Sequence, residues 1–165
     1  MGAGLLSHHL RAAGHDALVT SAGTQEFNLA VDPVATRSVR ALGVDISQHT
    51  PRQMDRSILD TDGADLIITM TREHLRILVA SNRAAFARTF TLRELLRRNA
   101  RYRSAIAGWD DWLASMARGR RASELMGDDQ NDDISDPYGL GRNKVNATAA
   151  ELDLLTRQLA SAAPW

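Results

Sequence analysis

Cysteine is absent from the whole 165-residue sequence. Its absence excludes disulfide bonds, thiolate metal sites and a thiol nucleophile supplied by these residues. An excess of charge of one sign is also lacking, because 20 basic residues stand against 20 acidic ones. A chain with no net charge has no overall field that would draw it onto nucleic acid or an anionic membrane. We therefore expect neither nucleic acid nor a membrane as a partner.

Long apolar runs are missing as well. None approaches the roughly 20 residues that a membrane-spanning helix needs, and residues 1–14 lack the basic start and apolar stretch of a signal peptide. We therefore expect a cytoplasmic protein. Apolar residues make up 44% of the chain, which is enough to bury a core. The length predicts a single domain over residues 1–165.

Apolar runs predict three strands, over residues 17–21, 64–70 and 86–90. The second run, ADLIITM, is apolar almost throughout, as expected of a parallel strand covered on both faces. Strands that alternate with helices predict an α/β fold with a mostly parallel sheet. Three strands are few for at least five helices, so we expect that one strand is missing at the front of the chain.

Helix signals occupy the segments between the strands. Asp32–Pro33 and Thr50–Pro51 each place an N-cap before a proline at the first helical position, and Gly43 ends the first of these two helices. Thr91 and Glu94 have the spacing of a capping box. Further helices are predicted at the start of the chain as far as Gly14, over 72–79, over about 103–118 and over about 143–162.

Arginines cluster at 93–103 and 118–121, and aspartates follow at 128–136. Solvated helix faces and a polar loop are the simpler interpretation, and a docking surface for an anionic or protein partner is the alternative. The aspartate run lacks the glycine and the terminal glutamate of a calcium-binding EF-hand loop. We therefore expect no metal.

Five short motifs occur in a definite order. They are SAGT at 21–24, Asp32–Pro33, VDISQHTPRQM at 44–54, ADLIITM at 64–70 and DPYG at 136–139. The ordered set resembles the low-molecular-weight protein-tyrosine phosphatases over nearly the whole chain, and residues 97–127 are the least similar part. The resemblance implies a three-layer αβα fold with a short parallel sheet, and no metal or organic cofactor.

The resemblance also implies a role for five residues. Asp136 matches the general acid that protonates the leaving phenolate, and Tyr138 matches an aromatic residue beside the substrate ring. Phe27 falls where the family often has a wall of the substrate cleft. Ser21 and His49 match residues that support the phosphate-binding loop from behind. A carboxylic acid within hydrogen-bond reach is what a phenolate leaving group needs.

In that family a Cys-x5-Arg loop joins the first strand, which lies centrally in the sheet, to the first helix. Its cysteine attacks phosphorus and forms a cysteinyl-phosphate intermediate. Loop amides and the arginine bind the phosphate oxygens. This sequence contains neither that strand nor that loop, and Met1 to Leu6 resembles the segment that follows the loop. We therefore expect an N-terminally truncated chain that is inactive by itself.

Three functions remain open. The first is hydrolysis of phosphotyrosine in proteins, and some bacterial members of the family act on tyrosine kinases. The second is a non-catalytic pseudophosphatase that binds a phosphoprotein. The third is an arsenate reductase, which we disfavour because such enzymes need additional cysteines.

Overall fold

Helices make up most of the structure, a computed structural model that describes residues 1–24, 31–60, 63–102, 108–126 and 130–165. Short 3-10 turns lie between several of them. The elements are α1 (Gly2–Ala12), α2 (Pro33–Arg40), β1 (Ile67–Thr69), α3 (Arg72–Ser81), β2 (Thr89–Thr91), α4 (Leu92–Tyr102), α5 (Trp109–Ala117) and α6 (Arg142–Ala162), and the 3-10 turns are Arg56–Leu59, Arg83–Arg88, Ala122–Met126 and Gln130–Asp132.

The described residues form two units. Unit one comprises Met1–Gln53, Ser135–Ala163 and Trp165, and unit two comprises Met54–Ile134 and Pro164. Unit one therefore contains α1, α2 and α6, and unit two contains the sheet with α3, α4 and α5. Among the helices described, none has both the length and the apolar character needed to cross a membrane.

Unit one is built around α6, against which α1 and α2 pack. Leucines of α1 recur at helical spacing and are buried, as are Val145 and Leu152 of α6. His9 Nε2 and Asp153 Oδ1 lie at hydrogen-bond distance, 2.9 Å, between these two helices. A Cβ at Gly4 would lie 2.6 Å from Ile46 Cγ2, so glycine allows the close approach of α1 to the chain at Ile46.

Unit two contains a two-stranded parallel sheet in which Ile68 of β1 lies opposite Phe90 of β2. Both strands are shorter than predicted, and Phe86 belongs to a 3-10 turn rather than to a strand. Helix α3 contacts both strands. Thr71 caps α3 by accepting a hydrogen bond from the backbone N–H of His74. The observed sheet confirms the α/β class with a short parallel sheet.

Residues 17–21 do not form the predicted buried strand. They belong to no ladder in the described ranges, and Leu18 is 93% exposed. Exposure alternates along the segment: residues 17, 19 and 21 are half-buried, whereas 18 and 20 are exposed. One face of an extended segment is therefore covered, and the apolar run had indicated that both were.

Thr50–Pro51 does not start a helix either. The Gly23 backbone N–H donates to the Arg52 carbonyl at 2.9 Å, and Gly23 and Gln53 form an isolated parallel bridge. This pairing requires extended backbone just where a helix was predicted, so the tertiary contact overrides the local signal. The next turn starts instead at Asp55, which caps Arg56–Leu59.

Most of the remaining helix predictions are confirmed. The exceptions are the start of α5 and the capping role of the Glu94 side chain. Asp32 caps α2 as predicted, and α6 begins one residue before its predicted start. Helix α5 begins at Trp109 rather than near residue 103, and residues 103–107 lie outside the described ranges. Thr91 does accept the Glu94 backbone N–H, at 3.1 Å. The Glu94 carboxylate, however, pairs with Arg120.

The guanidinium of Arg120 lies inside unit two, and only 3% of its side chain is exposed. Its Nε donates to Glu94 Oε1 at 2.7 Å, and its Nη atoms donate to Glu94 and to the carbonyl oxygens of Phe86 and Thr89. The guanidinium lies 4.2 Å from the Phe86 ring centroid and 4.1 Å from that of Phe90. The solvated-face interpretation is therefore wrong for this arginine.

Replacing Arg120 by methionine should lower the free energy of unfolding by about 3–5 kcal/mol, because the Glu94 carboxylate, only 14% exposed, loses its partner. The double variant Arg120→Met, Glu94→Leu should recover much of that loss. Urea denaturation measures both. Arg118→Gln is the matched control, since Arg118 is exposed, and it should stay within about 0.5 kcal/mol of the parent. Equal losses in Arg120→Met and Arg118→Gln would contradict this account.

Candidate functional site

Ser21 and His49 lie side by side in unit one although 28 residues separate them. Ser21 Oγ and His49 Nε2 are 3.3 Å apart, at hydrogen-bond distance. The family resemblance implies that both support one loop. The structure brings these two predicted site residues together.

Short-range contacts position His49. Val44 and Ile46 are each 8% exposed and anchor the preceding segment in the core. Between them Asp45 accepts the Ser47 backbone N–H at 2.9 Å and pairs with Arg40. Hydrogen bonds from Ser47, and then from Arg40, hold the pKa of the Asp45 carboxyl below its usual value. His49 follows one turn later, where its backbone N–H donates to the Ile46 carbonyl.

Arg52 positions Ser21 from the other side. Its Nε donates to the Ser21 carbonyl and its Nη2 to Thr20 Oγ1, both at 2.9 Å. The sequence favours a structural or solvated role for this arginine over a catalytic one, and its hydrogen bonds are those of a structural residue. Its position three residues after His49, within the VDISQHTPRQM motif, was the available signal. Because it donates hydrogen bonds to residues 20 and 21, Arg52 fixes the end of the extended segment.

Asp136 and Tyr138 share a tight turn that precedes α6. Asp136 Oδ1 accepts the Tyr138 backbone N–H at 2.9 Å, and the Leu140 backbone N–H donates to the Pro137 carbonyl. Gly139 has φ +75°, a value that favours glycine. Asp136 is exposed and Tyr138 is 65% exposed, so both side chains are open to solvent.

The two groups of residues are not joined by hydrogen bonds in the ranges that the structure describes. Phe27 lies outside those ranges, so its predicted role stays a prediction. A serine beside a histidine can also be a nucleophile with its base. Here no carboxylate within the described residues hydrogen-bonds to the histidine, so nothing on that side orients its ring. The described residues also contain no group of three candidate metal ligands.

Comparisons with known proteins identify the family of this chain. A family model for low molecular weight phosphotyrosine protein phosphatases matches residues 1–107. A comparison with curated protein sequences found no significant match.

Solved structures share the fold. A low molecular weight protein tyrosine phosphatase from T. tengcongensis is 23% identical, with a TM-score of 0.70, over 97% of this chain and 87% of that one. The YwlE arginine phosphatase from Geobacillus stearothermophilus is 22% identical, with a TM-score of 0.66, over 97% and 80%. Vibrio vulnificus Wzb in complex with benzylphosphonate is 17% identical, with a TM-score of 0.68, over 97% and 86%.

At identities this low, the structural similarity establishes the fold alone. The family-model match establishes the family, because it covers well over half of the sequence. Together they confirm both the predicted family and the predicted fold class. The cysteine-free sequence has no Cys-x5-Arg loop among its 165 residues. The chain therefore belongs to the low molecular weight phosphotyrosine protein phosphatase family.

Proposed function

We propose that this chain is the acid-bearing part of a protein-tyrosine phosphatase. It forms one functional domain over residues 1–165 and lacks the nucleophile. A segment that carries a strand and a Cys-x5-Arg loop has to be joined to it for phosphotyrosine hydrolysis. The proposed roles are a general acid for Asp136, substrate contact for Tyr138 and Phe27, and support of the phosphate-binding loop for Ser21 and His49.

The hydrogen-bonding contact between Ser21 and His49 carries this proposal. Two residues chosen for one role, far apart in sequence, meet at 3.3 Å. Arg52 holds the backbone of Ser21 in place. A loop that lies against this pair would be held by polar groups that are already positioned, which lowers the cost of ordering it. Both side chains also offer hydrogen-bonding atoms to such a loop.

The turn that holds the Asp136 carboxyl group supports its proposed role as the proton donor. Oδ1 accepts the Tyr138 N–H, which fixes the carboxyl group and leaves Oδ2 to hold the proton. In the proposed reaction the thiolate of the added segment attacks phosphorus, and the P–O bond to the phenol breaks. The proton on Asp136 Oδ2 then passes to the departing phenolate oxygen. Water hydrolyses the cysteinyl phosphate, and Asp136 takes up the proton of that water.

The extended segment 17–21 supports the need for an added strand. It belongs to no ladder in the described ranges, and one of its faces is half-buried. An unpaired extended segment presents backbone donors and acceptors to a new strand; the Ser21 carbonyl is the exception, because it already accepts from Arg52. A strand that precedes the phosphate-binding loop would satisfy them. Its loop would then begin next to Ser21.

The substrate class follows from the family and from the aromatic side chain of the turn. Tyr138 is exposed next to Asp136 and can stack on a phenyl ring. We propose that the partner is a phosphotyrosine-containing protein in the cytoplasm, with a bacterial tyrosine kinase as one candidate. The structurally similar Wzb binds benzylphosphonate, a ligand that also joins an aromatic ring to a phosphorus-centred anion.

The 165-residue chain should not hydrolyse p-nitrophenyl phosphate. A fusion that places the first strand and Cys-x5-Arg loop of the T. tengcongensis phosphatase before Gly2 should do so. In that fusion Asp136→Asn should lower kcat by about 10²- to 10⁴-fold because the leaving phenolate receives no proton. Vanadate affinity should change little. Steady-state kinetics on a phosphotyrosine peptide measure this, and a phosphoarginine peptide is the comparison substrate.

Asp55→Asn is the matched control for Asp136→Asn. Asp55 is exposed and its Oδ1 accepts the Ser57 backbone N–H at 2.9 Å, which is the same local geometry. Its kcat should equal that of the fusion. Hydrolysis of p-nitrophenyl phosphate by the unfused chain would contradict the proposal. An inactive fusion that still binds a phosphotyrosine peptide would favour the pseudophosphatase.

Ser21→Ala in the active fusion should lower kcat/KM by about 2- to 10-fold, the value of one hydrogen bond. It should also move the acidic limb of the kcat/KM profile to higher pH, because poorly held loop amides stabilise the thiolate less. His49→Gln should act similarly, and the double variant should be no worse than either single one. Ser81→Ala in α3, an exposed serine, is the control. Additive losses would show that Ser21 and His49 act separately.

Amide hydrogen exchange tests the added strand directly. In the 165-residue chain the amides of residues 17–21 should exchange quickly because no ladder protects them. In the fusion about half of them should become protected, since alternate N–H groups of a strand face each neighbour. The amides of α6 serve as the reference and should be protected in both proteins. Protection of 17–21 in the unfused chain would rule out a vacant pairing edge.

A further inference from the structure

The segment from Asp16 to Gly23 in unit one has little structure of its own. Within the described ranges it takes part in one isolated bridge, between Gly23 and Gln53, and in no ladder. Leu18, its largest apolar side chain, is 93% exposed, so burial contributes little to holding the segment. Each backbone residue that nothing fixes keeps its conformational entropy. The position of Ser21 therefore depends on contacts that come from other parts of the chain.

Arg52 supplies these contacts. Its Nε donates to the Ser21 carbonyl and its Nη2 to Thr20 Oγ1, and its own carbonyl accepts the Gly23 backbone N–H, all at 2.9 Å. The contact between Ser21 and His49 is the one other hydrogen bond that the described residues make to this segment. One residue therefore holds the segment at three successive points, before, at and after Ser21.

A guanidinium group suits this arrangement. Nε and Nη2 lie on the same edge of a rigid plane, so the two donors are aligned before they bind. The two acceptors, Thr20 Oγ1 and the Ser21 carbonyl, belong to adjacent residues. A lysine has one nitrogen on a flexible stem and loses more rotamer freedom for each hydrogen bond that it makes. Positive charge alone therefore does not reproduce the contact that Arg52 makes.

The hydroxyl of Ser21 needs a restrained backbone. Its contact with His49 Nε2 is exposed to solvent and spans 3.3 Å, and a single hydrogen bond of this kind contributes little by itself. The chain before His49 is anchored in the core by Val44 and Ile46. On the other side, the backbone of Ser21 is anchored by Arg52. The hydroxyl therefore stays beside the imidazole only while Arg52 holds that backbone.

We propose that Arg52 is a positioning residue that acts through Ser21. It fixes the Ser21 backbone so that the hydroxyl stays beside His49 and can support the phosphate-binding loop of the added segment. The effect on catalysis rests on the proposed function, whereas the positioning itself is a property of the 165-residue chain. Arg52 touches neither the phosphate nor the reacting atoms.

Nuclear magnetic resonance relaxation of the 165-residue chain tests the positioning without catalysis. The Ser21 amide of the parent should have an order parameter of about 0.85, the value of rigid backbone. Arg52→Gln should lower it to below about 0.6, the range of flexible backbone. Arg52→Lys should also lower it, because the paired donors are lost. Arg11→Gln is the matched control, since Arg11 is exposed on α1, and should leave the Ser21 amide rigid.

A Ser21 amide that stays rigid in both Arg52→Gln and Arg52→Lys would overturn the proposal. The amides of α6 are the internal reference in every variant. Their order parameters should remain those of rigid backbone, which shows that unit one is folded.

The imidazole of His49 gives an independent signal in the same chain. Ser21→Ala should shift the nitrogen resonance of His49 Nε2, because its hydrogen-bond partner is removed. Arg52→Gln should shift that resonance in the same direction, although the described residues show no hydrogen bond between Arg52 and His49. Arg52→Lys should do the same. A resonance that moves in Arg52→Gln but not in Arg52→Lys would reveal a direct effect of charge and would overturn the proposal.

In the active fusion, Arg52→Gln should lower kcat/KM by the same factor as Ser21→Ala, about 2- to 10-fold. The double variant should be no worse than Ser21→Ala alone, because both changes remove one interaction. Additive losses would overturn action through Ser21. A phosphate-binding arginine would behave differently, since Arg52→Gln would then weaken vanadate binding more than Ser21→Ala does. That result would also overturn the proposal.

The positioning role and the proposed function fail separately. An active fusion that needs Asp136 and Ser21 but tolerates Arg52→Gln would reject the positioning role and leave the proposed function intact. An inactive fusion would reject the proposed function. A flexible Ser21 amide in the Arg52→Gln chain would still support the positioning role.

Discussion

The buried guanidinium of Arg120 connects the separate elements of unit two. It neutralises Glu94 on α4, donates to the carbonyl oxygens of Phe86 and Thr89, and lies against two phenyl rings. A charge taken out of water is tolerable only when its partners replace the lost hydration. Groups of four residues, Phe86, Thr89, Phe90 and Glu94, must therefore be in place at once. Through Thr89 and Phe90 the same guanidinium also contacts β2, so it stabilises the short sheet.

In unit one the logic differs. Asp136 is held by a local hydrogen bond to Tyr138, two positions along the chain. Ser21 and His49, in contrast, are 28 positions apart in the sequence. Both arrangements form from residues of this chain, and they hold the residues proposed as the general acid and as the loop support.

Local signals predicted the elements whose boundaries depend on local hydrogen bonds. Asp32 caps α2, Thr91 accepts the N–H of Glu94, and the amphipathic pattern of α6 gave its extent to within one residue. Signals failed where a distant partner competed. No helix starts at Thr50–Pro51, because the Arg52 carbonyl accepts a hydrogen bond from Gly23. The Glu94 carboxylate does not complete the capping box, because it pairs with Arg120. The apolar run at 17–21 indicated burial, but burial requires a covering neighbour.

The ordered motifs were enough to determine the family, the α/β class and the five candidate site residues, because motif order and spacing are properties of the chain itself. Sequence could also exclude a thiol nucleophile, since a missing residue type needs no structure to establish. Tertiary structure alone decided that Ser21 contacts His49, that Arg52 holds the Ser21 backbone, and that Arg120 is buried between phenyl rings. These contacts depend on which distant segments approach each other, and the free energy of such approaches comes from packing and shared charge rather than from local propensity.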